Sequence, residues 1–132
     1  MWKYYQPNPA GRNVGDCVVR ALSAVTGMTW EEAFCELCSD AYYMADMPSS
    51  NGVLSAALRK RGFYRYVIPD KCPDCYSIEN FCREHPLGVF VAGTGSHVVA
   101  VIDGNYLDSW DSGNEIPVYY WKKEKEAMID DF

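Results

Sequence analysis

The spacing of apolar residues changes once along this chain, and that change fixes the class of fold. In the first half, apolar side chains recur at helical intervals. Val18, Ala21, Leu22 and Val25 form one set, Ala33, Phe34, Leu37, Cys38 and Ala41 a second, and Val53, Leu54, Ala57 and Leu58 a third. Residues three and four apart share a helix face, so each set predicts an amphipathic helix. After Gly62 the pattern turns to aromatic and β-branched runs at Phe63–Ile68, Val89–Ala92, His97–Ile102, Asn105–Trp110 and Val118–Trp121. Such runs suit a pleated, half-buried surface. One short helix interrupts them, with Ile78, Phe81 and Cys82 inward, Ser77 as its cap and Pro86 beyond its end. Helices first and strands last predict an α+β domain, its N-terminal helices packed on a C-terminal antiparallel sheet.

The punctuation agrees. Asp16 is a good N-cap and puts Cys17 in the first turn of a helix that Gly27 ends. Thr29-Trp30-Glu31-Glu32 is a capping box. Pro48-Ser49-Ser50-Asn51-Gly52 breaks the chain, and Gly62 caps the third helix. Residues 1–14, with Pro7, Pro9 and Gly11, read as an extended arm. Residues 69–75 read as a loop, and 122–132 as a charged tail. A chain of 132 residues without repeats is one domain, spanning 1–132.

Charge and cysteine content narrow the function. With 18 acidic and 12 basic side chains the net charge is −6, which argues against a nucleic-acid partner, since binding one needs phosphate neutralisation. The local exception, Arg59-Lys60-Arg61 with Arg65, reads as a cationic helix C-terminus. No apolar run is long enough to cross a bilayer, and Met1-Trp2-Lys3-Tyr4-Tyr5-Gln6 lacks the apolar stretch of a signal peptide. A cytoplasmic chain with no membrane partner is expected, and its six cysteines should be mostly reduced. Cys35-x-x-Cys38 and Cys72-x-x-Cys75 have the spacing of a four-thiolate zinc site. Cys35 and Cys38 fall inside a helical pattern rather than a knuckle turn, however, so no metal and no other cofactor is expected. Cys35, Cys38 and Cys82 read as small apolar fillers.

Cys17 has the best local setting of the six. A helix start and a nearby imidazole both lower a thiol pKa. Of the two histidines, His97 heads a strand after the glycine-flanked loop Gly93-Thr94-Gly95-Ser96, while His85 suits a helix C-terminus. The hairpin that follows turns on Asp103-Gly104, a tight-turn dipeptide. A two-residue turn there pairs Ile102 with Asn105, Val99 with Asp108 and His97 with Trp110. His97 and Asp108 then share a face and Asp111 does not. A one-residue change in loop length would exchange Asp108 for Asp111. Asp108 is preferred because register follows turn length. Asp111 reads as a loop-start residue bonding its own backbone. Thiolate, imidazole and carboxylate are the parts of a thiol nucleophile site.

Gly15-Asp16-Cys17 opening a helix, Ser96-His97-Val98-Val99-Ala100-Val101 opening a strand, and Tyr106-Leu107-Asp108 on the return strand follow one another in an order that resembles the papain-like cysteine peptidases. The likeness is closest to small bacteriocin-leader-processing and phage-borne domains, and it spans nearly the whole chain. It implies a papain-like fold with Cys17 as nucleophile, His97 as base and Asp108 as orienting acid. The family places a glutamine about six residues before its cysteine as half of the oxyanion hole; here that position is Gly11. Asn13, with the Cys17 backbone N–H, is the substitute expected, with Gln6 and Asn8 further upstream.

The resemblance implies a cysteine-dependent amide hydrolase, most simply a peptidase acting through a thioester on a peptide or protein, a host protein included. Deamidation or acyl transfer on glutamine would use the same three residues. A binding or inhibitor protein built on the same fold is the non-enzymatic alternative. Its interface would draw on the aromatic runs Trp2, Tyr4 and Tyr5, Tyr42 and Tyr43, and Tyr119, Tyr120 and Trp121. The sequence carries no signal of oligomeric state.

Overall fold

The computed structural model describes residues 1–69 and 76–124. Among them the elements run β1 (Trp2–Tyr4), α1 (Cys17–Thr26), α2 (Trp30–Met44), α3 (Asn51–Arg59), β2 (Phe63–Val67), α4 (Ile78–Glu84), β3 (Val89–Gly93), β4 (Val98–Ile102), β5 (Asn105–Asp108) and β6 (Tyr119–Lys123). The fold is α+β, four mostly N-terminal helices on a six-stranded sheet of order β1-β5-β4-β3-β6-β2.

The helices begin where the sequence places their caps. Thr29 and Glu32 exchange both bonds of a capping box at α2. Ser50 accepts from Val53 N–H at α3, and Ser77 with Asn80 forms a second box at α4. Ala33, Leu37 and Ala41 of α2 and Val53, Leu54, Ala57 and Leu58 of α3 are buried, as the helical spacing requires. Phe34 lies on the rim of that face, exposed and stacked on Trp30 at 5.0 Å. The end of α3 differs from expectation: Lys60 is its cap, and Gly62, with φ of 84°, turns the chain into β2.

Alternation along the strands sorts two cores. Val98 and Ala100 of β4, Val91 of β3 and Trp121 of β6 face α1, α2 and α3. Val99 and Val101, with Phe90, Ala92 and Tyr106, face α4. Strand β4 is thus covered on both sides and almost wholly apolar, as a central strand should be.

The sheet is mixed rather than antiparallel. Part of the expected extended arm forms β1, which pairs parallel with β5 through Trp2↔Tyr106 and Tyr4↔Asp108. All three β1 residues are exposed, so no alternation marks the strand. Its pairing spans about a hundred residues, which local patterning cannot report. The last strand also extends into the expected tail, since Lys122 and Lys123 belong to β6; residues 125–132 lie outside the described residues. So do residues 70–75 of the expected loop, and with them Cys72 and Cys75. Cys82 is a buried filler, but Cys35 is exposed and Cys38 only half-buried, so the filler reading holds for Cys82 alone.

The basic cluster takes partners within the chain. Lys60 Nζ donates to Asp40 at 2.8 Å, and Arg61 grips Glu36 with both of its terminal nitrogens. Arg59 lies over the Tyr64 ring, and Arg65 over that of Tyr119. No helix among the described residues is long and apolar enough to cross a membrane.

Candidate active site

Cys17 is the first residue of α1, half-buried; its side chain interacts with that of His97, and the two line the same cleft. His97 stands one residue before β4. Its loop is held by Thr94, a buried threonine whose hydroxyl accepts from the N–H groups of Ser96 and His97 and whose own N–H donates to the His97 carbonyl at 2.7 Å. These three bonds fix where the strand begins, and hence where the imidazole points.

The hairpin sets the third group. Asp103 and Gly104 have φ of 49° and 79°, the paired left-handed conformation of a two-residue hairpin turn. The ladder then runs Ile102↔Asn105, Val101↔Tyr106 and Ala100↔Leu107, and Asp108 closes β5. Its Oδ2 lies 2.7 Å from His97 Nε2. With Nε2 so engaged, Nδ1 is the nitrogen left for the thiol. Trp110 packs its ring against the imidazole at 5.0 Å between centroids. Asp111 is remote from this contact: exposed, it accepts from the Tyr106 hydroxyl and from Gly113 N–H, a loop-start carboxylate bonded to its own backbone.

Asp108 is 1 % exposed and carries four hydrogen bonds. Oδ2 accepts from His97 and from the Ser112 hydroxyl at 2.7 Å, while Oδ1 accepts from Arg20 Nη2 at 2.9 Å and from Ser109 N–H at 2.8 Å. Its backbone carbonyl takes Trp2 Nε1–H and Tyr5 N–H, so β1 braces the same residue from the sheet edge. Burial pushes this carboxyl up, but hydrogen bonds from His97 and Ser112 and the charges of His97 and Arg20 outweigh it and hold the group below the usual carboxylate range.

The other two groups shift in the matching sense. Burial would raise the Cys17 thiol, yet the His97 hydrogen bond, the Val98 N–H and the nearby positive charges bring it below an ordinary thiol. Burial would lower His97, yet its bonds to Asp108 and Cys17 raise it to about 9. Both shifts favour the thiolate–imidazolium form over the neutral pair.

Behind the triad lies a buried network that local sequence patterns do not reveal. Arg20 is 5 % exposed and forms ion pairs with Asp16 and Asp108. Asp16 occupies the N-cap position, but its side chain caps nothing. One carboxylate oxygen accepts from Arg20 and the other from Trp30 Nε1–H at 2.8 Å. The only signal of Arg20 in the sequence is an arginine inside the otherwise apolar run Val18–Leu22.

A cleft of about 200 Å³ opens over Cys17, lined by Cys17, Val18, Ser49, Asn51, Gly95, Ser96, His97 and Val98. Asn13 is not among these residues; it is exposed in the N-terminal arm, and its side-chain oxygen accepts from Gln6 Nε2. Asn51, the first residue of α3, is the amide that borders the cleft, with Nδ2 donating to the Tyr119 hydroxyl. Among the described residues no group of three or more His, Cys, Asp or Glu side chains is placed to hold a metal ion.

No protein-family model matches this chain, and comparison with curated proteins and with solved structures finds no similar protein.

Proposed function

We propose that this chain is a cysteine-dependent amide hydrolase of papain-like design, acting on a peptide or protein. The observation that carries the reading is His97, bonded to Asp108 at 2.7 Å and sharing a cleft with Cys17 at the start of α1, with the thiol lowered and the imidazole raised. A thiol site needs its nucleophile and base within hydrogen-bond reach and its base oriented by a third group.

In the proposed reaction the Cys17 thiolate adds to a carbonyl carbon, and the oxygen takes up the negative charge. Backbone N–H groups at the α1 N-terminus, free of any side-chain cap, face that charge. Collapse of the adduct breaks the C–N bond, and the His97 imidazolium gives its proton to the departing amine. Neutral His97 then takes a proton from water, whose oxygen attacks the thioester. Release of the carboxylate product restores the thiolate–imidazolium pair. Asp108 stays ionised throughout and holds the ring in the tautomer that presents Nδ1 to sulfur.

The test is covalent trapping followed by turnover. A peptidyl vinyl sulfone should modify Cys17 in preference to the other five cysteines, read by peptide mapping. A library of peptides should then show cleavage that Cys17→Ala abolishes. Slow, indiscriminate labelling together with an ordinary thiol pKa would leave the protein a binding module.

A further inference from the structure

We propose that Arg20 is a positioning residue: its guanidinium holds Asp108 against His97 with one nitrogen and draws Asp16 off the start of α1 with another. The inference rests on the reading of Cys17 as a nucleophile and extends it to a residue that touches neither the thiol nor the cleft.

The energetics argue against a stabilising role. A guanidinium and two carboxylates, each 5 % exposed or less, lose several kcal/mol of hydration apiece. A well-packed apolar group of the same volume is often as stable or more so. Val18, Val19, Ala21 and Leu22 show that the surroundings would accept one. What the arginine supplies is geometry at two places.

The first place is Asp108. Arg20 Nη2 and Ser109 N–H both bond Oδ1, which fixes the carboxylate plane and leaves Oδ2 for His97 and Ser112. A carboxylate free to rotate would share its bonds unequally, and the imidazole would lose its orientation.

The second place is Asp16. An aspartate at N-cap ordinarily accepts from the N–H of the second or third helical residue. Here that role is given up, because Arg20 and the Trp30 indole take both carboxylate oxygens. A cap on Val18 or Val19 N–H would set a negative charge beside both the thiolate and the Cys17 N–H that an oxyanion needs. Pulled back into the network, Asp16 leaves the first turn open.

The titratable groups around Cys17 are His97 ahead of β4, Asp108 on β5, Tyr119 on β6, and Asp16 and Arg20 on its own segment. Two variants of the full chain separate their effects. Arg20→Lys keeps the charge but lacks the fork that reaches both carboxylates. Trp30→Phe keeps every charge and frees one oxygen of Asp16 to cap α1. Two reactions of Cys17 are followed by mass spectrometry. Alkylation by iodoacetamide across pH builds no oxyanion, whereas acylation by para-nitrophenyl acetate does.

Arg20→Lys should raise the alkylation midpoint by on the order of one pH unit, lowering the rate about tenfold below it. Trp30→Phe should raise that midpoint by less than Arg20→Lys does and slow acylation about tenfold relative to alkylation at matched thiolate fraction. An ordinary thiol midpoint in the unaltered protein overturns the nucleophile reading and this inference with it. A low midpoint in the unaltered protein, kept by folded Arg20→Lys, with unchanged acylation in Trp30→Phe, overturns this inference alone. Should Arg20→Lys fail to fold, unchanged acylation in Trp30→Phe is sufficient to overturn it.

Discussion

Asp108 Oδ2 meets His97 Nε2 at 2.7 Å because the chain reverses in two residues at Asp103 and Gly104. A loop one residue longer or shorter would turn the Asp108 side chain to the opposite face of the hairpin. The paired part of the hairpin ends at Ala100↔Leu107, and just beyond it only Asp108 bonds His97, so the two carboxylates near the hairpin's end should behave very differently.

Asp108→Asn keeps the shape and removes the charge. The bond from Arg20 loses its ionic partner, and the imidazolium loses its counterion. Turnover should fall by roughly two to four orders of magnitude, and stability by about 3–5 kcal/mol, because a buried guanidinium loses half of its neutralisation. Asp111→Ala removes an exposed carboxylate that accepts from the Tyr106 hydroxyl and Gly113 N–H, and should lower the melting temperature only slightly with turnover nearly unchanged. Kinetics and thermal melts on the two variants check this. An inactive, folded Asp111→Ala would mean that the contact with Asp108 is not the working one.

The pH dependence follows from the paired shifts. Cys17 titrates below the ordinary thiol range and His97 near 9, so thiolate and imidazolium coexist between those limits. Activity should rise as Cys17 loses its proton, below the ordinary thiol range, and fall as pH passes about 9, where His97 no longer holds the proton owed to the leaving amine. The folded-state pKa of His97 lies above its unfolded value. Its contribution to stability is therefore complete below about pH 6.5 and lost as pH rises through 9. Alkylation rates and melting temperatures taken across this range measure both. A rate that climbs only through the ordinary thiol titration would contradict the first expectation.

Much of the site was legible in the sequence because its determinants are local. The capping box at Thr29, the cap at Ser50 and the Asp103-Gly104 turn each depend on residues within a few positions of one another. So do the start of α1 at Cys17 and the register that brings Asp108 to His97. What was not legible depends on distant pairs. Arg20 and Asp108 are 88 positions apart, and β1 pairs with β5 through exposed residues that show no alternation. Asp16 misleads for the same reason. The local rule makes it a cap, and a buried arginine with an indole from α2 outcompetes the backbone for its carboxylate. Thr94, which sets His97 through three bonds, looks in sequence like one more loop threonine.

Gly93 offers a test of how the sheet supports the cleft. A Cβ at this position would collide with the Tyr119 ring, which lies across the strand pair and whose hydroxyl bonds Asn51. Gly93→Ala should lower stability by about 1–3 kcal/mol, the cost of overpacking, and should also displace Asn51 from the cleft rim. A thermal melt indistinguishable from that of the unaltered protein would show that Tyr119 can move aside freely.

Chelation should leave the fold intact. Cys35 is exposed on α2 and Cys38 half-buried on the same helix, and neither belongs to a ligand cluster among the described residues. Structural zinc contributes folding energy directly, so its removal would lower the melting temperature sharply. Unfolding on addition of a chelator, with one zinc per chain by elemental analysis, would assign the two Cys-x-x-Cys pairs to a metal centre.

The amide that serves the oxyanion separates two positions. Asn13 lies in the exposed arm with its side-chain oxygen bound to Gln6, whereas Asn51 borders the cleft over Cys17. A carboxamide nitrogen has two hydrogens. At Asn51 one goes to the Tyr119 hydroxyl, and in the proposed reaction the other donates to the substrate oxygen. Asn51→Ala should therefore slow acylation of Cys17 by about a hundredfold or more, the usual effect of losing one such donor. Its alkylation by iodoacetamide should stay within about twofold, because that reaction builds no oxyanion. Asn13→Ala should alter neither. The opposite result, with Asn13→Ala slow in acylation and Asn51→Ala unaffected, would mean that the N-terminal arm folds over the cleft when substrate binds and delivers Asn13 to the thiol.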